Sequence, residues 1–292
     1  MNLKQIAKTF LSITNPKLET EISYRFSFNK KLDLKNPKTI NEKLLWLKLN
    51  TYNNNDVVTN CIDKYKIREY LHSKGLDELL PKLYGVYDSA DDIDWESLPN
   101  SFVIKCNHGC GYNILVKDKK TFNKNAAVEQ LNAWMKEDYW KLSAEIQYKY
   151  IKKKIIIEEF LEDLVCYKFF CFNGVPKILY MSTDVWNGDV FEKDKYIDYY
   201  DMNFNRIECK LKGHDNSSVK PQIPVTFDEM KRLSKILSAD FPFVRVDFYI
   251  HKGKLIIGEL TFTPTAGYDY TITKEGDYAI GQMFEIGNWR EK

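Results

Sequence analysis

The apolar positions of this chain follow a helical period through residues 1–100 and a strand period through much of the later sequence. Apolar side chains spaced by three or four residues over 3–11 predict a first helix. We expect its apolar stripe to pack on the protein's own surface rather than on a membrane. Thr39 and Glu42 have the spacing of a capping box, which predicts the start of another helix. A further helix is predicted over 63–72.

Short runs of β-branched and aromatic residues predict strands in the later part of the chain. Two of them enclose a loop with two glycines, and two others flank Asn173-Gly174, a dipeptide typical of hairpin turns. Helices are predicted over 123–152 and from Thr226 onwards. The predicted strands cover 102–105, 114–117, 155–160, 167–172, 177–181, 196–201, 243–250 and 255–260. Because helices and strands alternate in mixed order with prominent hairpins, the sequence predicts an α+β fold.

The composition limits the classes of protein to which the chain can belong. Of its 292 residues, 44% are hydrophobic and 29% are charged, which suits a folded chain with a large core. These values exclude disorder, collagen, coiled coil and an integral membrane protein. Lys and Arg number 43 against 41 Asp and Glu, so no global field directs the chain to nucleic acid. No window has the roughly 18 apolar residues of a spanning helix, which leaves only peripheral membrane association open.

The N-terminal sequence and the cysteines favour a cytoplasmic protein. We see no signal peptide. The six cysteines form no Cys-x-x-Cys pair and indicate no disulfide framework, so a reducing compartment is the simplest inference. Cys106, His108 and Cys110 could begin a zinc site, but no second pair of ligands follows at zinc-like spacing. We therefore expect a cytoplasmic location and do not predict zinc.

A lysine at a strand end, followed by a glycine loop, is the first feature with candidate chemistry. Lys105 precedes Gly109 and Gly111, and glycines let backbone N–H groups approach phosphate oxygens while the lysine adds positive charge. The alternative is an ordinary hairpin with a glycine-rich tip, since no Gly-Lys-Ser/Thr follows as in a P-loop. The run 155–159 offers an apolar edge for an adenine, or simply a buried strand that reaches solvent.

Charged residues on two consecutive predicted strands form another such feature. Alternation places Arg245 and Asp247 on one face of their strand, and Glu259 and Thr261 on one face of the next. A hairpin can bring Asp247 and Glu259 side by side, where the carboxylates repel each other unless a cation neutralises them. Magnesium commonly does so, held by one or two carboxylates and substrate phosphates. The alternative is a solvated face on which Arg245 pairs with Asp247.

In their order and spacing these features resemble the ATP-grasp superfamily, and more narrowly its TupA-like branch of teichuronopeptide biosynthesis. The resemblance covers roughly residues 35–285. Four phrases carry the closer match: Asn-Glu-Lys-Leu at 41–44, Asp-Lys-Tyr at 63–65, Tyr-Lys-Phe-Phe-Cys-Phe-Asn-Gly at 167–174 and Gly-Glu-Leu-Thr-Phe-Thr-Pro at 258–264.

The resemblance implies the ATP-grasp fold, in which two α+β subdomains clasp ATP. A mostly helical N-terminal region over 1–100 would contribute to the acceptor side. A lid subdomain with the glycine loop would cover 101–158, and a C-terminal subdomain with the metal-binding strands would cover 159–292.

The resemblance also implies roles for individual residues. ATP would be bound by the strand lysine, the glycine loop and the adenine strand, namely Lys105, His108, Gly109, Cys110, Gly111, Lys117, Glu158, Glu159, Phe160 and Leu161. Two magnesium ions would be held by Asp247, Glu259 and Thr261, and catalytic roles would fall to Arg245 and Lys168.

Two positions depart from the superfamily pattern. Thr261 stands where the last metal ligand is usually asparagine, and a hydroxyl is a poorer magnesium ligand than an amide carbonyl. Cys166 stands where an acidic residue usually receives the ribose hydroxyls, a role that Glu162 or Asp163 could take over. Lys168 lies two residues after Cys166 and therefore faces the same side of the predicted strand.

The implied activity is that of a carboxylate–amine ligase, in which ATP converts a carboxylate to an acyl phosphate and an amine then displaces phosphate. The TupA-like branch further implies a sugar or glycan carboxylate, amidated by a small amine or amino acid during synthesis of a bacterial capsule or other surface polysaccharide. Three alternatives stay open. They are a glycosyltransferase that uses Asp92-Ile93-Asp94, a kinase on the same fold, and a non-catalytic carbohydrate-binding protein.

Overall fold

The computed structural model of the chain describes residues 3–161, 165–186, 191–207, 216–218 and 221–287. Its helices are α1 (Leu3–Thr14), α2 (Pro16–Phe28), α3 (Ile40–Asn50), α4 (Asp56–Ile62), α5 (Ile67–Ser73), α6 (Lys124–Lys136), α7 (Phe227–Ser238) and α8 (Lys274–Gly281). Its strands are β1 (Leu83–Tyr87), β2 (Phe102–Cys106), β3 (Asn113–Val116), β4 (Ile155–Glu159), β5 (Val165–Phe172), β6 (Val175–Trp186), β7 (Phe191–Tyr200), β8 (Arg206–Ile207), β9 (Phe243–His251) and β10 (Lys254–Thr261). None of the helices within these ranges is long and apolar enough to cross a bilayer.

The chain forms two compact units, each assembled from two separate stretches of sequence. The first unit comprises Met1–Glu19 and Tyr52–Asp163, and the second comprises Thr20–Thr51 and Leu164–Lys292. Each unit combines helices with an antiparallel sheet, which confirms the predicted α+β class.

The sheet of the first unit has four strands in the order β1-β4-β2-β3. Its central strand β4 is apolar from Ile155 to Ile157, and all three side chains are fully buried. Leu131 of α6 and Phe102 of β2 belong to the same core. β2 pairs with β4 along its length, so Lys105 lies opposite Ile156, two residues before Glu158 and on the same face of the sheet. The pairing therefore sets the strand lysine near Glu158.

The sheet of the second unit has six strands in the order β10-β9-β5-β6-β7-β8. The turn between β5 and β6 is Asn173-Gly174, with φ angles of 50° and 76°, so the hairpin predicted from this dipeptide is confirmed. Alternate side chains of β5 and β9, such as Phe169 and Val246, are fully buried on the face that α7 covers. The other face of β9 carries Arg245 and Asp247.

The phrase Asn-Glu-Lys at 41–43 joins α3 to the C-terminal part of the second unit. Asn41 Nδ2 donates hydrogen bonds to Asp277 Oδ1 at 3.0 Å and to the carbonyl oxygen of Asp269 at 3.2 Å. Lys43 Nζ donates to the carbonyl oxygen of Gly281 at 2.7 Å. Glu42 completes the predicted capping box of α3, which is confirmed. These residues are buried, so the phrase serves the packing of the unit.

We expect Asn41→Ala to lower the free energy of unfolding by about 1–3 kcal/mol, because it removes the side-chain amide that donates to the buried carboxylate of Asp277 and accepts from the backbone N–H of Asp269. Urea denaturation of the full chain measures this change. The matched control is Asn36→Ala, which alters an exposed asparagine of the same unit and should change stability by less than about 0.5 kcal/mol. Equal effects of the two substitutions would contradict the structural role of Asn41.

Two predicted helices are shorter than the sequence pattern indicated. The helix predicted over 123–152 ends at Lys136, because Glu137 adopts an extended backbone with ψ 140° and accepts a hydrogen bond of 2.6 Å from the hydroxyl of Tyr112. Short 3-10 turns follow and bury Trp140 without a continuous helix. The helix predicted over 63–72 begins only at Ile67. The side chain of Asp63 instead accepts hydrogen bonds from the backbone N–H groups of Tyr65 and Lys66, at 2.8 and 3.2 Å.

The apolar stripe of α1 does not pack on the protein as predicted. Ile6 and Phe10 are exposed, whereas Ser12 on another side of the helix is fully buried. The first hundred residues are mostly helical, but they also contribute the strand β1, which pairs with β4 and was not predicted because residues 83–87 show no clear alternation.

Candidate active site

A cluster of charged and hydroxyl side chains lies on adjacent strands of the second unit. Arg245 of β9 donates two hydrogen bonds to Asp247, from Nε to Oδ1 at 2.7 Å and from Nη2 to Oδ2 at 2.6 Å. The same Nη2 donates to Glu259 Oε1 and to Thr261 Oγ1, each at 3.1 Å, and the hydroxyl of Thr261 donates to Glu259 at 3.1 Å. One guanidinium therefore joins both predicted metal-binding carboxylates.

A β-bulge in β10 sets the position of Glu259. The pairing of β9 with β10 shifts by one residue between Ile257 and Glu259, so that Glu259 lies directly opposite Asp247 and Thr261 opposite Arg245. The residue at the bulge is Gly258, where a Cβ atom would clash with the ring of Tyr249. A regular ladder would have placed residue 258 opposite Asp247, so the bulge turns Glu259 toward the aspartate.

Asp247 and Glu259 differ in how far their carboxylates are exposed to solvent. Asp247 is 2% exposed, whereas the side chain of Glu259 is 48% exposed. Burial and the neighbouring Glu259 raise the pKa of Asp247, while the guanidinium of Arg245 lowers it. Burial lowers the pKa of Arg245, but the negative charges of Asp247 and Glu259 raise it, and the pKa lies above its usual value. The cluster thus holds a buried acid and a solvent-accessible acid within reach of one permanent cation.

Lys168, Cys166 and Tyr249 share this face of the sheet. Lys168 pairs with Asp247 across β5 and β9, and its Nζ lies 4.8 Å from the centre of the Tyr180 ring. Cys166 pairs with Tyr249, and burial raises the pKa of the Cys166 thiol to about 12, so the thiol is neutral near pH 7. The sequence prediction that Lys168 and Cys166 face one side is therefore confirmed. Glu162 and Asp163 lie outside the described residues.

A second charged cluster, in the first unit, contains the predicted phosphate-binding lysine. Lys105 Nζ lies 2.7 Å from Glu158 Oε2, and Arg68 Nη2 of α5 lies 2.6 Å from Glu158 Oε1. Arg68 also donates to the carbonyl oxygen of Pro81 at 2.8 Å. Glu158 is 5% exposed, whereas the side chains of Lys105 and Arg68 are partly exposed. The buried carboxylate is therefore shared by two cations.

The segment Asp-Lys-Tyr at 63–65 makes hydrogen bonds to the glycine loop. Asn107 donates from Nδ2 to Asp63 Oδ1 at 2.8 Å, and its Oδ1 accepts from the backbone N–H of Lys154 at 2.7 Å. Lys64 Nζ donates to the carbonyl oxygen of Gly109. These contacts fix the first half of the loop on the unit that carries Lys105.

The predicted ATP-binding residues of the loop differ in their exposure. His108 is buried and its Nε2 lies 3.1 Å from the carbonyl oxygen of Trp134; burial lowers the pKa of His108, so the ring is neutral near pH 7. Gly109 is buried, and a Cβ atom there would lie 2.6 Å from the ring of Tyr112. Cys110 and Gly111 are exposed, and Gly111 has a φ angle of 78° with open space around its Cα.

The remaining predicted residues lie at the ends of strands. Glu159 is half-buried, and its backbone N–H donates to the carbonyl oxygen of Lys82 at 2.9 Å. Phe160 and Leu161 follow β4 and are half-buried, and Lys117 follows β3 and is exposed. Asp94 of the Asp-x-Asp motif accepts from the backbone N–H of Ser97 at 3.4 Å, a contact within its own turn.

Sequence reasoning missed Arg68 and Tyr249. Arg68 reaches Glu158 across 90 residues of sequence, and no local pattern marks such a contact. Tyr249 could have been found, because it lies two residues after Asp247 on a predicted strand and must share its face. Gly258 inside a predicted strand is likewise a recognised signal for a bulge.

The chain matches one protein family and is similar to several solved structures. The profile of the family described as TupA-like ATPgrasp matches residues 42–285. An L-amino acid ligase from Bacillus licheniformis is similar with a TM-score of 0.46 and 16% identity, over 72% of this chain and 44% of that one. A D-alanine–D-alanine ligase from Bacillus anthracis is similar with a TM-score of 0.45 and 14% identity, over 78% of this chain and 65% of that one. The chain thus spans less than two thirds of either ligase. The search among curated proteins gives no match.

Proposed function

The chain belongs to the TupA-like ATP-grasp family, and we propose that it is an ATP- and magnesium-dependent ligase that joins a carboxylate to an amine. The observation that supports this most is the placement of Asp247 directly opposite Glu259, with Arg245 bridging the two. A ligase of the ATP-grasp type needs acidic oxygens and a fixed cation near the transferred phosphoryl group, and this cluster would supply both.

The donor set fits magnesium. Mg²⁺ prefers oxygen ligands and is usually held by one or two carboxylates together with substrate phosphates. Asp247 and Glu259 would supply the carboxylates, and the hydroxyl of Thr261, already bonded to Glu259, would support the second of them. When bound, the metal would neutralise charge on the phosphate oxygens of ATP.

The proposed reaction has two balanced steps. A carboxylate oxygen attacks the γ-phosphorus of ATP, the bond from that phosphorus to the β,γ-bridging oxygen breaks, and ADP leaves with that electron pair. The amine nitrogen then attacks the carbonyl carbon of the acyl phosphate, the carbon–oxygen bond to phosphate breaks, and the nitrogen loses a proton. Arg245 would stabilise the oxyanion of this second step, and Lys168 would bind phosphate or the acceptor carboxylate.

The first unit would bind the nucleotide. Lys105 would contact the α- and β-phosphates, and Lys117 would add positive charge nearby. Backbone N–H groups of the loop 108–111 would approach the β- and γ-phosphates, since the side chain of His108 is buried and Gly111 has open space around it. The segment 158–161 would frame the adenine. Exclusion of water by the loop would protect the acyl phosphate from hydrolysis.

The substrates belong to the same proposal. We infer a sugar or glycan carboxylate and a small amine or amino acid, used in the cytoplasm during synthesis of a bacterial surface polysaccharide such as a capsule. The TupA-like family supports this assignment. Arg245 and Lys168 lie on the same face of the sheet, which also suits an anionic acceptor.

Nucleotide binding tests the first part of the proposal. We expect ATP or ADP with magnesium to raise the melting temperature of the full chain, because ligand that binds only the folded state stabilises it. Lys105→Ala should remove most of this shift. Lys136→Ala, which changes an exposed lysine of α6 in the same unit, should keep it. No shift in the wild-type chain at millimolar ATP would argue against the nucleotide site.

Product analysis tests the chemistry. A ligase releases ADP and phosphate only when carboxylate and amine are both present, and mass spectrometry finds their condensed product. A phosphorylated acceptor formed without amine would instead indicate a kinase. Transfer from a nucleotide sugar with ATP left intact would indicate a glycosyltransferase.

A further inference from the structure

Helix α1 presents its apolar side chains to solvent. Ile6, Phe10 and Ile13 are spaced by four and three residues, and all are exposed, with Phe10 at 63%. Ser12 lies on another side of the helix and is fully buried. A surface helix of a globular protein normally has the opposite arrangement, with its apolar stripe toward the core. Among the described residues nothing covers this stripe, which is typical of an interaction surface.

Helix α2 repeats this arrangement. Leu18, Ile22 and Phe26 follow one another at intervals of four residues and are all exposed, with Phe26 at 87%. Thr20 and Tyr24 of the same helix are fully buried. Of the fifteen large apolar side chains that the described chain exposes, six belong to these two helices. The concentration distinguishes them from apolar residues that are scattered singly over a surface.

Both helices precede the part of the chain that the family profile matches, which begins at residue 42. The candidate nucleotide and metal clusters contain no residue of α1 or α2. The two helices thus lie outside the matched residues and outside both candidate clusters, and their exposed stripes call for a separate explanation.

Charge identifies the occupant. Residues 1–31 contain six Lys and Arg against two Glu, whereas the whole chain has 43 basic against 41 acidic residues. Lys17 and Arg25 are exposed and adjoin Leu18 and Phe26 of the stripe, and Lys31 is exposed just beyond α2. A second copy of the chain would bring two basic faces together in a symmetric interface, where like charges repel. An anionic lipid surface offers both the opposite charge and an apolar interior.

We propose that α1 and α2 each bind the surface of an anionic phospholipid bilayer. The apolar stripes enter the boundary between headgroups and acyl chains, and the neighbouring basic side chains contact lipid phosphates. The helices lie on the bilayer and do not cross it. This inference concerns a surface that the proposed ligase reaction does not use, so the two proposals can fail independently.

Flotation of the full chain with lipid vesicles tests this proposal. We expect the chain to bind vesicles with about one third phosphatidylglycerol in phosphatidylcholine at least ten times more strongly than vesicles of phosphatidylcholine alone. Raising the salt concentration about tenfold should remove most of this preference. The double variant Phe10→Ser/Phe26→Ser should lose at least tenfold in binding, and Lys17→Glu/Arg25→Glu should lose the preference for anionic vesicles.

The matched control is Val225→Ser/Tyr278→Ser, which changes two exposed apolar residues elsewhere and should bind as the wild-type chain does. Denaturation curves establish that the variants fold, as expected for changes of exposed side chains. Equal binding of the wild-type chain to both kinds of vesicle, or undiminished binding of the Phe10/Phe26 variant, would overturn the proposal. A third result would also overturn it: the wild-type chain does not bind vesicles, light scattering shows that it is a dimer, and the Phe10/Phe26 variant is a monomer.

Discussion

Replacement of Asp247 by asparagine is expected to slow ATP-dependent ligation by about a thousandfold and to leave the chain folded. Asp247 is buried, accepts two hydrogen bonds from Arg245, and lies opposite Glu259. An amide keeps the shape of the side chain but removes the negative charge that a metal ion requires. It also offers Arg245 an N–H group in place of an acceptor, so the guanidinium loses its fixed position. Single-turnover measurement of ADP formation gives the rate of the chemical step.

The same unit provides a matched control in Asp198. This carboxylate is also buried and lies 3.2 Å from an arginine, Arg206, but it belongs to β7 and to no predicted site. Asp198→Asn should cost stability as Asp247→Asn does, and should leave the rate of ligation within about threefold of wild type. A comparable loss of rate in both variants would indicate a general effect of breaking a buried ion pair and would contradict a role for Asp247 in catalysis.

Local sequence patterns predicted much of the secondary structure and the main charged cluster. Strand alternation placed Arg245 and Asp247 on one face, and the short turn predicted a hairpin that can bring Asp247 beside Glu259. The bulge between Ile257 and Glu259 then sets that pairing. The hairpin at Asn173-Gly174 followed from the positive φ angles that these residues tolerate. Such features depend on neighbours in the sequence, and they can therefore be derived without the fold.

The failed predictions depended on contacts that are distant in the sequence. The helix expected to continue to residue 152 ends at Lys136, where Glu137 bonds to Tyr112 of the glycine loop. The periodicity of α1 predicts that its apolar stripe packs on the protein's own surface, but periodicity does not determine which face of a helix meets the protein. The cluster of Arg68, Lys105 and Glu158 joins three separate segments, and only the tertiary structure brings them together.

Arg68 carries the second prediction, which depends on the proposed nucleotide site. Glu158 is buried between Lys105 and Arg68, at 2.7 and 2.6 Å. If Lys105 is to bind a phosphate of ATP, its ammonium group must weaken or give up its contact with Glu158. A buried carboxylate without a partner costs about 3–5 kcal/mol, but Arg68 remains in contact and keeps Glu158 paired. Arg68 would therefore be a positioning residue that makes the movement of Lys105 inexpensive in free energy.

We expect Arg68→Met to weaken ATP binding about a hundredfold, which corresponds to about 2.8 kcal/mol. In that variant Lys105 is the remaining cation on a buried carboxylate, and ATP must compete with Glu158 for it. Adding Glu158→Gln removes the buried charge and should restore at least tenfold of the lost affinity. Titration calorimetry with ATP on the full chain measures each dissociation constant, and Arg232→Met, at an exposed ion pair of α7, is the control.

The sign of this coupling separates positioning from support of the fold. If Arg68 served only to hold the fold together, each substitution in the cluster would destabilise the chain further, and the double variant would bind ATP no better than Arg68→Met alone. The double variant could recover ATP affinity while urea denaturation shows no matching recovery of stability. That result would mean that Arg68→Met weakens binding because ATP and Glu158 compete for Lys105. If the losses of ATP affinity from the two substitutions add up, or the double variant binds more weakly still, that explanation is excluded. This holds even if the wild-type chain binds ATP, so the nucleotide site could be right while the role of Arg68 is wrong.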